Sequence, residues 1–383
     1  FVSLPTGAGK TRVAVQAVIE AAAEDRALTG TVVWIAQSDE LCEQAVQTWA
    51  GLWRALGPAE PLVISRFWGG NDVVEEPDRL QVVVATPEKL ASAMHRDDLD
   101  WVRGADLVIV DEAHTSIAAE YTRVLEWLGR RSRNRAERRL LIGLSATPYR
   151  NLNTEETERL AARYDRNRLD EGAFGDLPPH EALQAMGVLA RVEHSLITGI
   201  DVRMSAEDVE HLDRFKTLPG RVERRIGDNV ERNLRIVEHV AALPQDWTAL
   251  LFATSVENAK ALAALLTYRG IEARAVSGNT PPSQRRAYIE RFRAGEIRVL
   301  TNYNVLAQGF DAPAVRAVYV TRPTYSRNLY QQMIGRGLRG PLNGGSEEVM
   351  VVNVADNVEQ YGGRLAFYDF EYLWTPEPAR SGV

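Results

Sequence analysis

The stretch Pro5-Thr6-Gly7-Ala8-Gly9-Lys10-Thr11 joins an apolar run at residues 1–4 to a helical pattern that opens near Thr11. A glycine-rich turn between strand and helix lets backbone N–H groups point inward at phosphate oxygens, and the helix N-terminus adds positive potential. Thr6, Gly7, Ala8 and Gly9 would form that cradle, Lys10 would neutralise the β and γ phosphates, and the Thr11 hydroxyl would ligate Mg²⁺. Leu4 stands where the general GxxxxGK[ST] pattern has its first glycine, so the loop is a variant. Further on, Asp111-Glu112-Ala113-His114 follows Leu107-Val108-Ile109-Val110. That order sets two carboxylates at the carboxyl end of a buried strand, where open α/β sheets present their ligands. Asp111 would hold Mg²⁺, directly or through water, and Glu112 would act as the base for water attacking a γ-phosphorus. Each feature alone has a plain structural alternative, a glycine turn or a solvated acidic pair. Together they point to hydrolysis of a nucleoside triphosphate, ATP being the expected one.

Groups of this kind need a sheet to hold them. Short β-branched runs at 31–36, 81–85, 106–110 and 140–144 read as strands, and their apolar continuity fits a parallel sheet buried on both faces. Leu41, Ala45, Trp49, Leu52, Trp53 and Leu56 recur at three- and four-residue steps, the stripe of one helix. The pattern weakens over 151–227, punctuated by Pro178, Pro179 and Gly187, with a strand-like run at 189–197. Strand patterns resume at 249–253, 272–276, 297–301, 317–321 and 349–354. The expected fold is therefore α/β, two doubly wound, mostly parallel domains. The first covers 1–200, with a linker region from about 151, the second 201–355, and 356–383 forms a tail without an assigned task.

Composition narrows the setting. The chain has 383 residues, too many for one ordinary core. A formal net charge of −7 gives no overall basic footprint, so any contact with nucleic acid must come from local groups. The single cysteine, Cys42, excludes an internal disulfide framework and favours a reducing compartment, while no apolar run reaches the roughly 18 residues of a membrane span. The cytoplasm is the expected location, with no membrane partner. The six histidines show no metal-ligand spacing. The sequence opens at Phe1, inside a strand pattern, which leaves room for a signal segment or an upstream domain before it.

The ordered motifs resemble superfamily 2 helicases. PTGAGKT, DEAH and Ser145-Ala146-Thr147-Pro148 look like the first domain of that family. Residues 251–255 resemble its motif IV, 301–311 (TNYNVLAQGFD) its motif V, and Gln332-Met333-Ile334-Gly335-Arg336-Gly337-Leu338-Arg339 the QxxGRxxR of motif VI. The resemblance implies two RecA-like P-loop domains with ATP in the cleft between them. It implies that Arg336 and Arg339 act as arginine fingers at the γ-phosphate, that Gln332 senses nucleotide, and that Gly309 and Asp311 couple nucleotide to the nucleic-acid track. It also implies that Ser145 and Thr147 link the catalytic carboxylates, through His114, to domain closure.

For the track, the expected phosphate contacts are Gln37, Ser38, Gly69, Gly70, Thr86, Thr254, Ser255 and Thr301, hydroxyls, amides and glycines at strand ends that position a backbone without reading bases. Each taken singly is more often a turn or a helix cap, and only placement by motif lifts it. Residues 35–41 (IAQSDEL) depart from the family's PTREL by lacking its arginine. The run Arg130, Arg131, Arg133, Arg135, Arg138 and Arg139 is read as solvated surface. GLSATPYR, VLAQGFDAP and QQMIGRGLR look more like restriction-enzyme motor subunits and repair or transcription DNA translocases than like RNA-remodelling DEAH proteins. DNA is accordingly preferred over RNA, with protein partners in a larger defence or repair complex as a further expectation. The rival from another class is an ATP-gated module that clamps DNA with little turnover.

Overall fold

The computed structural model describes residues 1–25, 30–76, 78–129, 140–146, 154–215, 217–306, 315–324 and 327–358. Thr147, Gly309, Asp311, the arginine run at 130–139 and the tail from 359 lie outside the described residues. The chain divides into two compact units, one made of Phe1–Pro5 and Gly9–Leu177, the other of Pro178 onward with loop residues Thr6–Ala8.

The first unit is built on six parallel strands: β1 Val2–Ser3, β2 Thr31–Ile35, β3 Val63–Phe67, β4 Gln81–Ala85, β5 Leu107–Val110 and β6 Leu140–Ser145. They lie in the order β1-β6-β5-β2-β4-β3. β4 and β5 are buried at every position, as strands covered on both faces must be, which explains their unbroken aliphatic runs. One face packs Val33, Ile35, Val83, Val108 and Val110 against the helix Ala119–Trp127. The other packs Trp34, Val82, Val84 and Ile109 beneath the helices Lys10–Asp25 and Asp39–Leu56. Trp34 and Trp49 meet there edge to face at 6.4 Å, both fully buried.

The second unit repeats the plan with β7 Arg191–Val202, β8 Thr248–Phe252, β9 Ala273–Val276, β10 Val299–Asn302, β11 Val315–Val320 and β12 Glu348–Val358. Their order is β7-β12-β11-β8-β10-β9, again parallel throughout. The boundary expected at 200 falls instead between Leu177 and Pro178. The reason is β7, which runs beside β12 from the Arg191–Glu348 pair to the Val202–Val358 pair and so belongs to the second sheet. The expected start of the tail at 356 also moves, because Asp356 is a buried residue inside β12. Between β7 and β8 the chain forms a helical hairpin, Ala206–Phe215 and Gly220–Gly227, with a small core of Met204, Leu212, Leu218, Val222 and Ile226. Among the described residues no helix is long and apolar enough to cross a membrane.

Candidate functional site

Parallel strands send all their carboxyl ends to one edge, and the first unit's chemical residues gather there. The glycine loop leaves β1, the serine of SAT ends β6, and the DEAH turn leaves β5, three neighbours in the sheet. Neighbouring strands lie about 4.8 Å apart, so the loop and the acidic turn are separated by roughly 10 Å across β6. The Leu4 amide donates to the Ser145 carbonyl at 3.3 Å, which fixes the start of the loop beside that serine.

Within the loop Gly7 and Gly9 take φ of +88° and +82°, the left-handed region where a side chain is strained. That geometry turns successive amides, and the helix begins at Lys10 rather than near Thr11. The Lys10 ammonium donates to the carbonyls of Leu4 and Pro5 at 3.1 and 3.5 Å. A flexible cation resting on its own loop suits a site that receives an anionic phosphate chain.

At the DEAH turn the Asp111 amide donates to Ile35 of β2 at 2.9 Å, and Asp111 Oδ1 accepts from the Glu112 amide at 2.9 Å. Glu112 itself adopts φ +48° and ψ +48°, left-handed for a non-glycine residue. Strain of this kind costs of order 1–3 kcal/mol and persists only where surroundings over-determine it. Here those are the Thr115 amide and hydroxyl, both donating to the Glu112 carbonyl at 3.0 and 2.9 Å. His114 is buried, its Nδ1 lying 3.1 Å from Ser145 Oγ and 3.4 Å from Glu112 Oε2. One imidazole nitrogen therefore joins the acidic turn to the end of β6. Behind them Tyr164 donates to Ser116 Oγ at 3.2 Å. Its ring passes so close to Gly143 that a Cβ there would lie 2.5 Å from it. Asp111 and Thr11 are hard oxygen donors of the kind Mg²⁺ takes.

The same edge continues over β2, β4 and β3, and it carries the first-unit residues expected on the track. Gln37 and Ser38 follow β2, Thr86 follows β4, and Gly69 and Gly70 follow β3. Ser38 and Thr86 are helix caps whose hydroxyls accept from the Leu41 and Lys89 amides at 3.4 Å. Gly69 and Gly70 are exposed, Gly69 at φ +54°, and its carbonyl accepts from Lys89 Nζ at 3.1 Å.

In the second unit the expectations for the track need correction. Thr301 is fully buried and its hydroxyl donates to Ala259 of the helix Val256–Tyr268 at 2.7 Å, so it faces the interior. Thr254 is also fully buried, and Ser255 caps that helix by accepting from the Asn258 amide at 3.0 Å. The hairpin helix Gly220–Gly227 ends against Thr254, since a Cβ on Gly227 would lie 2.3 Å from Thr254 Oγ1. Gln332 is buried at the end of the helix Arg327–Ile334, and Arg336 and Arg339 follow it. Gly337 lets this segment approach the sheet, where a Cβ would meet Val318 and Val349 at 2.7 and 2.8 Å. Burial pulls the Arg339 pKa below the usual guanidinium range, with repulsion from Arg293 adding to it. A desolvated guanidinium stays charged and gains from an anion.

A polar cluster went unnoticed in the sequence. Glu223 of the hairpin is buried and accepts from Arg322 Nε at 2.7 Å and from the Tyr303 hydroxyl at 3.2 Å. Burial raises the Glu223 pKa, against the opposing pull of Arg322. No local pattern signals this triad, because its members are far apart in sequence.

Two parallel α/β sheets, a glycine loop opening a helix, and a DEAH turn two strands away at the same sheet edge define a P-loop ATPase with two RecA-like domains. Residues 1–154 match the family DEAD/DEAH box helicase, and residues 232–340 match the helicase conserved C-terminal domain. The chain therefore carries both of the domains by which DEAD/DEAH-box helicases are recognised, one matched in each unit. It is 28% identical over 267 residues to IRC3 of Saccharomyces cerevisiae, a match covering 70% of this chain and 36% of IRC3. It is 25% identical over 365 residues to the DNA 3'-5' helicase XPB of Mycobacterium tuberculosis, covering 94% of this chain and 58% of XPB. The chain thus spans less than two thirds of the length of either relative. The fold is also that of S. cerevisiae Dbp5 bound to RNA and ADP BeF3, with a TM-score of 0.59 at 16% identity, covering 97% of this chain and 81% of that one.

Proposed function

We propose that the chain is an ATP-hydrolysing motor that moves along DNA by its sugar-phosphate backbone. The observation that carries this reading is the bridge from Glu112 through His114 to Ser145, at the sheet edge that also bears the glycine loop. A carboxylate held there can orient and deprotonate water, and its partner on β6 gives that carboxylate a link to the rest of the unit. Lys10 and the loop amides take the phosphates, while Thr11 and Asp111 hold Mg²⁺. The metal, when bound, supplies Lewis-acid polarisation of the phosphoryl oxygens. Arg336 and Arg339 offset the charge that develops on the γ-phosphate, and Gln332 responds to nucleotide. Ser38, Gln37, Thr86, Gly69 and Gly70 form the first unit's backbone contacts, which carry no sequence information.

The preference for DNA rests on the motif wording of the sequence and on the match to a relative named as a DNA 3'-5' helicase along 94% of this chain. Steady-state ATPase rates with single-stranded DNA, duplex DNA and RNA as activators test it. DNA is expected to stimulate most. Greater stimulation by RNA would reverse the substrate, and turnover below detection with every activator would favour the ATP-gated clamp.

A further inference from the structure

Burial of Thr254 and Ser255 poses a question, because these strand-end hydroxyls were the expected backbone contacts of the second unit. The helix Gly220–Gly227 ends against Thr254, tied down by its own terminus. The Gly227 carbonyl accepts from Asn258 Nδ2 at 2.8 Å and from Asn233 Nδ2 at 2.7 Å. Glu223, one turn earlier, is locked to Arg322 and Tyr303. Tyr303 and Asn304 begin the segment after β10, and Asn304 Oδ1 accepts from Arg322 at 2.5 Å. The helix is thus fixed over the carboxyl ends of β8, β10 and β11, the edge where an open α/β sheet presents its ligand. The hairpin's outer face is exposed to solvent beside that edge.

That face is basic. Val222, Glu223, Ile226 and Gly227 point inward, which leaves Arg221, Arg224 and Arg225 as an exposed stripe at three- and four-residue spacing. Arg221 is engaged by Asp208 and Glu207 at 2.8 and 3.0 Å. Arg225 donates to the Arg203 carbonyl, a neutral acceptor that leaves its charge uncompensated. Arg224 has no acidic partner among the described residues. Beside the stripe an open groove of about 440 Å³ runs between the two hairpin helices. On its wall Phe215 is 54% exposed, with the His211 ring 4.7 Å from it and the Arg214 guanidinium 5.2 Å from its centroid. Arginines spaced along a helix beside an exposed aromatic are the two elements of single-strand binding, charge for phosphate and a π-face for a base.

We propose that the hairpin 206–227 is the second unit's nucleic-acid contact, with Arg224 and Arg225 on the phosphates and Phe215 stacking on an unpaired base, in place of the covered Thr254, Ser255 and Thr301. This inference rests on the motor reading above. The chain's net charge of −7 means that no general attraction stands in for such a local patch.

The test is oligonucleotide binding by anisotropy across a salt series, with single-stranded DNA, alongside stimulated ATPase. Replacing both Arg224 and Arg225 with Ala is expected to flatten the slope of log K against log salt by about 1.4, since each single-strand phosphate contact contributes about 0.7. The half-saturating DNA concentration for ATPase should rise about tenfold or more while kcat at saturation holds. Phe215→Ala is expected to weaken binding about fivefold or more with the slope unchanged, because stacking releases no counterions. Arg103→Ala, an exposed arginine of the first unit paired only loosely with Asp100 at 3.8 Å, should change neither. An arginine double variant with the wild-type slope and affinity overturns the proposal while the motor reading stands. A wild-type chain that neither binds nor responds to any strand removes the motor reading itself, and the hairpin's role with it.

Discussion

Glu112 holds a left-handed conformation that most residue types avoid, and it is the residue on which turnover should depend most. Its side chain lies 3.4 Å from His114, within the acidic turn that Asp111 begins. Glu112→Gln keeps size and hydrogen bonding but removes the base. Phosphate release should fall about 10²- to 10⁴-fold, the usual contribution of a general base, while nucleotide affinity measured by fluorescent-analogue titration stays within about twofold. Undiminished turnover would sink the assignment. The types and spacing of Lys10, Asp111 and Glu112 made this half of the site legible in sequence. The imidazole's link to Ser145 came only by resemblance, because a contact across 31 residues leaves no local trace. Thr301 shows the opposite failure. A threonine ending a fully buried strand reads the same whether it faces a ligand or a covering helix, and the helix Val256–Tyr268 settled it inward.

At the level of elements, unbroken aliphatic runs marked nearly every central strand within a residue or two, since strands buried on both faces must be apolar throughout. Of the edge strands, β1 and β9 carried that signal, while β3 and β7 carried it weakly or not at all. β3 is only partly buried, with Arg66 pointing outward to Glu43, and β7 alternates exposed and covered residues, so one was passed over and the other was left in a linker. Packing between elements gives two predictions. Gly143 of β6 leaves no room for a methyl group between the Tyr164 ring at 2.5 Å and Ala113 Cβ at 2.8 Å. Gly143→Ala should therefore destabilise the first unit by about 1–3 kcal/mol, the usual cost of overpacking, read as a lower urea midpoint. It should also slow ATP turnover by displacing the DEAH turn, to which Ala113 belongs. The second concerns the helix Pro179–Ala185, where His180 Nε2 is buried without a hydrogen-bond partner among the described residues. Burial lowers the His180 pKa from 6.5 to about 4. The unfolded chain then binds a proton first as pH falls, so stability is full above about pH 6.5 and declines until about pH 4, below which the loss is complete. The decline should amount to roughly 2–3 kcal/mol, less than the full linkage because the residue is only partly covered. Urea midpoints from pH 7.5 to 4 should fall less steeply in His180→Gln; parallel curves for the two proteins would refute the assignment.

Across the whole molecule each unit is centred on its own sheet and core, and the second is fastened by a buried ion pair. Arg232 on the helix Val230–Ala241 meets Asp356 of β12 through Nε and Nη2 at 2.8 and 2.7 Å, with side chains 0% and 1% exposed. The same guanidinium donates to the Thr321 carbonyl after β11, and Asp356 Oδ1 accepts from the Ile200 amide of β7 at 3.2 Å. Four elements therefore meet at one ion pair. Two charges this deep gain little over a well-packed apolar pair, yet removing one strands the other in a medium that cannot solvate it, at a cost of about 3–5 kcal/mol. Asp356→Ala should lose about that much. The loss should be local in hydrogen exchange: amides of β7, β11, β12 and the helix Val230–Ala241 exchange faster, while β2, β4 and β5 of the first unit keep their protection. Replacing both partners by apolar residues, Arg232→Met with Asp356→Leu, should recover most of the stability, since neither charge is then left buried alone. Equal loosening of both sheets in Asp356→Ala, or no rescue in the double variant, would show that the pair does not hold the second unit in the way its geometry indicates.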